Sequence, residues 1–223
     1  MTQRLTLHYL FDPLCGWCYG ALPAIRALDR HPAIDLQPLA TGLFAGAAAR
    51  SMKSFAAQAW AFDQRIAALT GQPFSEAYRK DVLGAVDASL DSTVATLAVT
   101  AVTDAAPDRV IEALSVIQSA RYLHGKDVTS APVVSSLLAD LGLADAADRI
   151  ETPDAALLQM VDDRTARAHR TLSALNLNGV PALNADAGGD QRVLDTRILY
   201  AGPDAALTAL GLAGCSDTEA GLS

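Results

Sequence analysis

Changes of hydropathy period at the two ends of the chain constrain its fold more than any other feature of the sequence. Residues 5–11, LTLHYLF, set Leu5, Leu7, Tyr9 and Phe11 against Thr6, His8 and Leu10, the period of two of a β-strand. Asp12-Pro13 breaks the alternation, and from Cys15 onward Cys18, Leu22, Ile25 and Leu28 recur at helical spacing. A second strand follows in AIDLQPLATGLF, where Pro38 predicts a sheet edge or a bulge because proline cannot donate to a ladder. The opening is therefore β–α–β, with Cys15 at the first strand-to-helix junction. At the far end, NLNGVPALNADAGGDQRVLDTRILYAG reads as two strands about a Gly188-Gly189 turn, and PDAALTALGLAG as a last short helix.

Between these ends the period is helical throughout. Met52, Phe55, Ala59, Phe62, Ile66 and Leu69 follow steps of three and four and predict one apolar helix face, stopped by GQP at 71–73. Asp91-Ser92 has the chemistry of an N-cap for TVATLAVTAVTDA, Pro107-Asp108 opens a further helix toward Gly125, and TSAPVVSSLLADLG closes at Gly142. Thr152-Pro153 then predicts the start of a helix of about 24 residues through Leu157, Val161, Thr165, Ala168, Leu172 and Leu175, roughly 36 Å long and able to bridge two subdomains. These patterns divide the chain into residues 1–50 plus 151–223, which share one sheet, and an all-helical insert at 51–150.

Composition narrows the function classes. Of 223 residues, 51% are hydrophobic and 19% charged, enough to bury a sizeable core. The net charge of −8, without a Lys/Arg cluster, argues against nucleic-acid binding. No apolar run approaches the ~20 residues that span a bilayer, which argues against a membrane role. The N-terminus lacks the basic-then-apolar pattern of a leader, so with Met1 as the natural start the expected compartment is the cytoplasm. In a reducing compartment a Cys-x-x-Cys pair is expected to be catalytic, redox-sensing or metal-binding rather than a permanent staple.

Cys15-Gly16-Trp17-Cys18 carries the chemistry. A thiol at the first turn of a helix faces unpaired N–H groups and the positive end of the helix dipole, and both favour the thiolate. Cys15 is then the exposed, activated thiol, and Cys18 lies about one turn further in. Gly16 adds no bulk, and Trp17 offers a flat apolar surface beside the sulfur. A zinc site lacks its other ligands: Cys215 lies in a small, polar tail, and His8, His31, His124 and His169 show no paired spacing. Val180-Pro181, in NGVPAL, stands at a strand start after a loop, a place for a cis proline, although by itself the pair equally fits a plain turn with the common trans bond.

With these elements together the sequence resembles the thioredoxin superfamily, in its DsbA-like branch with an all-helical insertion, and most of all the FrnE-like predicted cytoplasmic protein-disulfide isomerases, whose start reads much like YLFDPLCGWCYGALP. The order of elements matches over nearly the whole chain, the residues at 9–23 and 179–183. The resemblance implies an α/β, thioredoxin-like fold. It implies Cys15 as nucleophile, Cys18 as resolving cysteine, a cis bond before Pro181 packed on the pair, and a Val180 backbone that pairs with a substrate strand. Pro23 falls where thioredoxins kink the active-site helix. Gly-Trp replaces the Pro-His usual between the DsbA cysteines; without that histidine the thiolate is less stabilised and a less oxidising protein is expected.

The activity so implied is disulfide exchange or isomerisation on protein, peptide or small-molecule disulfides. It needs no cofactor beyond the cysteine pair, but it needs an electron partner, which the sequence does not identify; glutathione could serve as substrate or reductant. Two alternatives stand. Kappa-class glutathione transferases and hydroxychromene-carboxylate isomerases share the inserted helical domain but typically carry a serine at the catalytic position and lack Cys18. A non-enzymatic redox sensor would use the same pair without turnover. Asp12 is assigned to the turn before the motif, His8 to a structural place on the polar side of the first strand, His169 to a helix surface, and Trp60 with Met52, Phe55 and Phe62 to the core, with part of the insert free to line a groove.

Overall fold

The computed structural model describes residues 4–187 and 189–212; Cys215 lies outside them. The chain opens with β1 (Leu5–Phe11), α1 (Gly16–Arg30) and β2 (Ile34–Ala40). The middle follows with β3 (Arg50–Ser51), α2 (Met52–Thr70), a π-helical turn at Tyr78–Leu83, β4 (Ser89–Leu90), α3 (Thr93–Ala105), α4 (Val110–Tyr122), α5 (Ala131–Asp140) and α6 (Ala144–Glu151). The chain returns through α7 (Ala155–Ala174), β5 (Ala182–Ala187), β6 (Asp190–Leu194), α8 (Arg197–Tyr200) and α9 (Pro203–Ala209).

Strands from both ends make one sheet, in the order β2–β1–β5–β6, with β1 parallel to β2 and antiparallel to β5. Pro38 sits on the edge strand β2, where its missing N–H leaves no ladder bond unmade. Leu7, Tyr9 and Phe11 of β1 enter the main core with Leu22, Ile25 and Leu28 of α1. The other face of β1 is not a solvent face: Leu10, Leu39 and Ala182 bury against Ala168 of α7, and His8 is half-buried beside them. α7 packs on β2 and on α3, so one helix ties the sheet to the helical middle. No helix among the described residues is long and apolar enough to cross a membrane.

Several boundaries differ from the sequence expectations for local reasons. Asp154, not Thr152, caps α7 by accepting the Leu157 N–H at 2.7 Å, which leaves 20 helical residues. α6, α8, the π turn and the β3–β4 pair are too short for periodicity to reveal. Ser92 stands at the N-cap of α3, but Asp91 Oδ1 accepts the Thr93 N–H at 2.9 Å while Ser92 turns elsewhere. On α2 the buried positions are Met52, Ala59, Asp63 and Ile66; Phe62 is 41% exposed and Leu69 also faces solvent, because 3.6-residue drift rotates 63 and not 62 inward. Trp60 is half-buried, with the Arg79 guanidinium 4.9 Å above its ring.

The turn between β1 and α1 is held from three sides. Asp12 is fully buried and accepts the Leu14 N–H at 2.8 Å, the Phe44 N–H at 3.2 Å and the Ser92 hydroxyl at 2.7 Å. From α4, Tyr122 Oη donates to the Leu14 carbonyl at 2.7 Å and the Gln118 side-chain amide to the Pro13 carbonyl at 3.2 Å. Inside α1, Pro23 has no N–H to offer the Tyr19 carbonyl four residues back; the Gln72 side-chain amide supplies that donor at 3.2 Å. α2 approaches α1 at two glycines: a side chain at Gly20 would begin 2.6 Å from Ile66 Cγ2.

Two stability losses are expected from these contacts. Asp12→Ala leaves three buried donors without an acceptor and should lower the unfolding free energy by about 3 kcal/mol. Gly20→Ala overpacks the α1–α2 contact and should lower it by roughly 1–3 kcal/mol. Urea denaturation followed by circular dichroism measures both.

Candidate active site

Cys15 and Cys18 are free thiols at the start of α1. Cys15 is the N-cap, with extended backbone, and its carbonyl accepts the Tyr19 N–H at 3.0 Å. Its sulfur therefore sits at the positive end of the helix, where the first N–H groups lack intrahelical partners. The expectation of an exposed nucleophile needs correction: Cys15 is only 6% exposed and Cys18 0%, because the turn that carries them is roofed by the helical middle of the chain. Burial, and then the neighbouring Cys15, push the Cys18 thiol well above the ordinary thiol range.

The loop before β5 closes over the pair. The Val180–Pro181 peptide bond is cis, and the Cys15 thiol donates to the Val180 carbonyl at 3.7 Å. Trp17 is half-buried and leans on Tyr200 of α8, ring centroids 5.3 Å apart. Burial drives the Tyr200 hydroxyl far above its usual range, with the two cysteines adding to the shift.

Cys15, Gly16, Trp17 and Val180 open onto a cavity of about 240 Å³, and α2 forms much of its opposite wall. Met52, Phe55 and Phe62 supply apolar surface there, so the stripe assigned to the core is in part a site wall. At one side Arg50, positioned by the β3–β4 pair, lies 5.1 Å above the Phe55 ring and 5.5 Å above the Phe44 ring. Gly16 is explained by this wall: a side chain on it would begin 2.5 Å from Asp63 Oδ1 and 3.3 Å from Ile66 Cδ1.

Asp63 is the site residue that sequence patterning misses. It is 4% exposed, lines the cavity, and accepts the Tyr78 hydroxyl at 2.9 Å through Oδ2. Burial pushes its carboxyl up to about 7, against the opposing pull of the Tyr78 hydrogen bond and the Arg121 charge. Arg121 is itself 1% exposed, with its guanidinium over the Tyr78 and Tyr122 rings at 5.5 and 5.7 Å. The one signal for Asp63 was a charged residue at a core-facing step of an apolar helix, four after Ala59 and three before Ile66.

Asp12 holds the turn as assigned, next to the pair, its carbonyl accepting the Cys15 N–H at 3.1 Å. The two histidines lie away from the pair. His169 is on the surface of α7, where Nε2 meets the Thr41 carbonyl at 2.7 Å, and His8 lines a separate depression with Arg167 and Arg170. Among the described residues no three His, Cys, Asp or Glu side chains gather as a metal-ligand group.

A sheet of this order, a dithiol at the N-terminus of α1 and a cis-proline loop over it define a thioredoxin-like protein with a helical insertion. No protein-family model matches the chain, and no curated protein does. Among solved structures, the cytosolic disulfide reductase DsbM of Pseudomonas aeruginosa is 33% identical, aligning 93% of this chain with 97% of that one at a TM-score of 0.83. Its structure with GSH aligns 93% with 98% at a TM-score of 0.79 and the same 33% identity. A candidate protein disulfide isomerase of Nitrosomonas europaea shares the fold at 21% identity, 94% and 97% coverage and a TM-score of 0.75. A 2-hydroxychromene-2-carboxylate isomerase shares it at 15% identity, 84% and 87% coverage and 0.57. The chain belongs to the DsbA-like branch of the thioredoxin superfamily.

The buried Asp63 makes the fold less stable as pH rises. Its carboxyl has an ordinary value near 3.8 and titrates near 7 in the fold, so the folded state binds the extra proton between these values. Stability falls as pH rises through that window, by roughly 2–4 kcal/mol from this group. Asp63→Asn keeps an acceptor for Tyr78 and removes the ionisation; it should be more stable than wild type at pH 8 and similar at pH 4, by urea denaturation at both.

Proposed function

We propose that this chain reduces disulfides by thiol–disulfide exchange, with Cys15 as the attacking sulfur and Cys18 as the resolving one. The observation that carries this reading is the placement of Cys15 at the N-cap of α1, on the wall of a cavity, with Cys18 sealed one turn behind it. The Cys15 thiolate attacks a substrate disulfide, a Cys15–substrate bond forms, and the first substrate thiol leaves. Cys18 then loses its proton and attacks Cys15, the second thiol leaves, and the Cys15–Cys18 disulfide remains. Two further thiols, delivered from outside, return the pair to the dithiol.

The reducing direction is supported by the name of the 33% identical relative, a disulfide reductase, and a glutathione-type thiol as electron donor by that relative's structure with GSH. The same name supports a cytoplasmic setting. Val180, whose carbonyl already meets the Cys15 sulfur, is the backbone group that a substrate strand would approach, beside Pro181. Gly16 admits the α2 wall, and Trp17 gives the substrate an apolar face.

Variants at the two cysteines test the assignment. Cys15→Ser should abolish turnover of a model disulfide. Cys18→Ser should stop after one thiol is released and trap the other half of the substrate on Cys15, visible as added mass in intact-protein mass spectrometry. Multiple turnover by Cys18→Ser would instead favour the transferase or isomerase chemistry of serine-bearing relatives. In the reduced wild type, iodoacetamide should modify Cys15 well before Cys18.

A further inference from the structure

Asp63 is an expensive residue where it stands. It is 4% exposed, at the cavity wall, yet no ion pair joins it to Arg121 or to any other cation among the described residues. Oδ2 takes the Tyr78 hydroxyl; Oδ1 has no protein donor among the described residues and lies against Gly16, the residue next to Cys15. The π-helical turn at Tyr78–Leu83 brings Tyr78 to it, α4 brings Arg121 and Tyr122, and the start of α1 brings Cys15. The Tyr78 hydroxyl engages Oδ2 alone, which leaves Oδ1 turned to the wall that carries Cys15.

We propose that Asp63 is the general acid of the exchange, donating its Oδ proton to the substrate sulfur that leaves when Cys15 attacks. The proposal rests on Cys15 being the nucleophile. The Cys15 sulfur forms its bond to one substrate sulfur as the substrate S–S bond breaks. The electron pair of that bond goes to the departing sulfur, which receives the Asp63 proton and leaves as a neutral thiol. Asp63, now a carboxylate, regains a proton from water entering the open cavity. The electrons come from the cysteine pair, oxidised to its disulfide in the second step. A carboxyl held near neutrality keeps a useful fraction of its acid form at working pH. An alkyl thiolate, a poor leaving group, gains most from this proton; an aryl thiolate, already a good one, gains little.

The test is the release of the first thiol from the reduced full-length protein under single-turnover conditions, with a dialkyl and a diaryl disulfide. Asp63→Asn should slow release from the dialkyl substrate at least about tenfold more than from the diaryl one. Tyr78→Phe removes a hydrogen bond that favours the carboxylate, so the alkaline fall of the dialkyl rate should move to higher pH, with the Asp63 acid intact. Equal losses on both substrates in Asp63→Asn, or an unmoved pH profile in Tyr78→Phe, would overturn the proposal; the second variant decides if the first does not fold. If wild type releases thiol from neither substrate, or Cys15→Ser still releases it, the fault lies instead with the assignment of Cys15.

Discussion

The site depends first on one buried carboxylate, Asp12. It gathers donors from the turn that carries Cys15, from the segment after β2 and from the N-terminus of α3. These three segments are far apart in sequence, and each must be in place before Asp12 can be buried without unmet hydrogen-bonding capacity. Its own burial raises its pKa despite those bonds, so the arrangement is held against a desolvation penalty. Ser92 shows the priority: it stands at the N-cap of its own helix but gives its hydroxyl to Asp12, and Asp91 takes over the cap.

The helical middle of the chain is therefore part of the candidate active site. Tyr122 and Gln118 of α4 hold the carbonyls just before Cys15, and α2 presses on Gly16 and Gly20 from the other side. Tyr19, Phe74, Tyr78 and Tyr122 pack as one aromatic cluster, with ring centroids 4.6–6.1 Å apart, and link α1, α4 and the π turn. That cluster positions Tyr78 against Asp63 and leaves Arg121 lying over its rings. A buried acid with a raised pKa lowers stability at neutral pH, and the cleft beside Cys15 is where such a loss has a chemical use.

Much of this was legible in the sequence, and the reasons are local. The alternation of β1, the helical step at Cys15 and the two strand runs at the far end each depend on a few neighbouring residues, so the β–α–β opening and the pairing of β5 with β6 could be read directly; Gly188, assigned to the turn between them, lies outside the described residues. Pro38 reported an edge or a bulge because a missing donor is a property of the residue itself, and the fold settles on the edge. The Cys-x-x-Cys pair was visible because spacing and the position after a strand suffice to place it at a helix N-terminus. What failed was whatever depended on rotation or on distant partners. Phe62 and Asp63 differ by one step of about 100° on α2, and apolar character alone favoured Phe62 for the core. The exposure of Cys15 could not be judged from its own helix, since the walls around it come from residues 43–122 and from Gly179 and Val180.

The sequence by itself determined the types of the longer elements, the position of the dithiol and the proline before β5, because these follow from period, spacing and single-residue chemistry. Only the tertiary structure decided that Asp12, Tyr122, Gln118 and Val180 surround the same turn, and that Asp63 rests against Gly16. Those contacts join segments tens of residues apart, and their geometry is set by how α1, α2 and α4 pack at close range, where one side chain at Gly16 or Gly20 would push the helices apart.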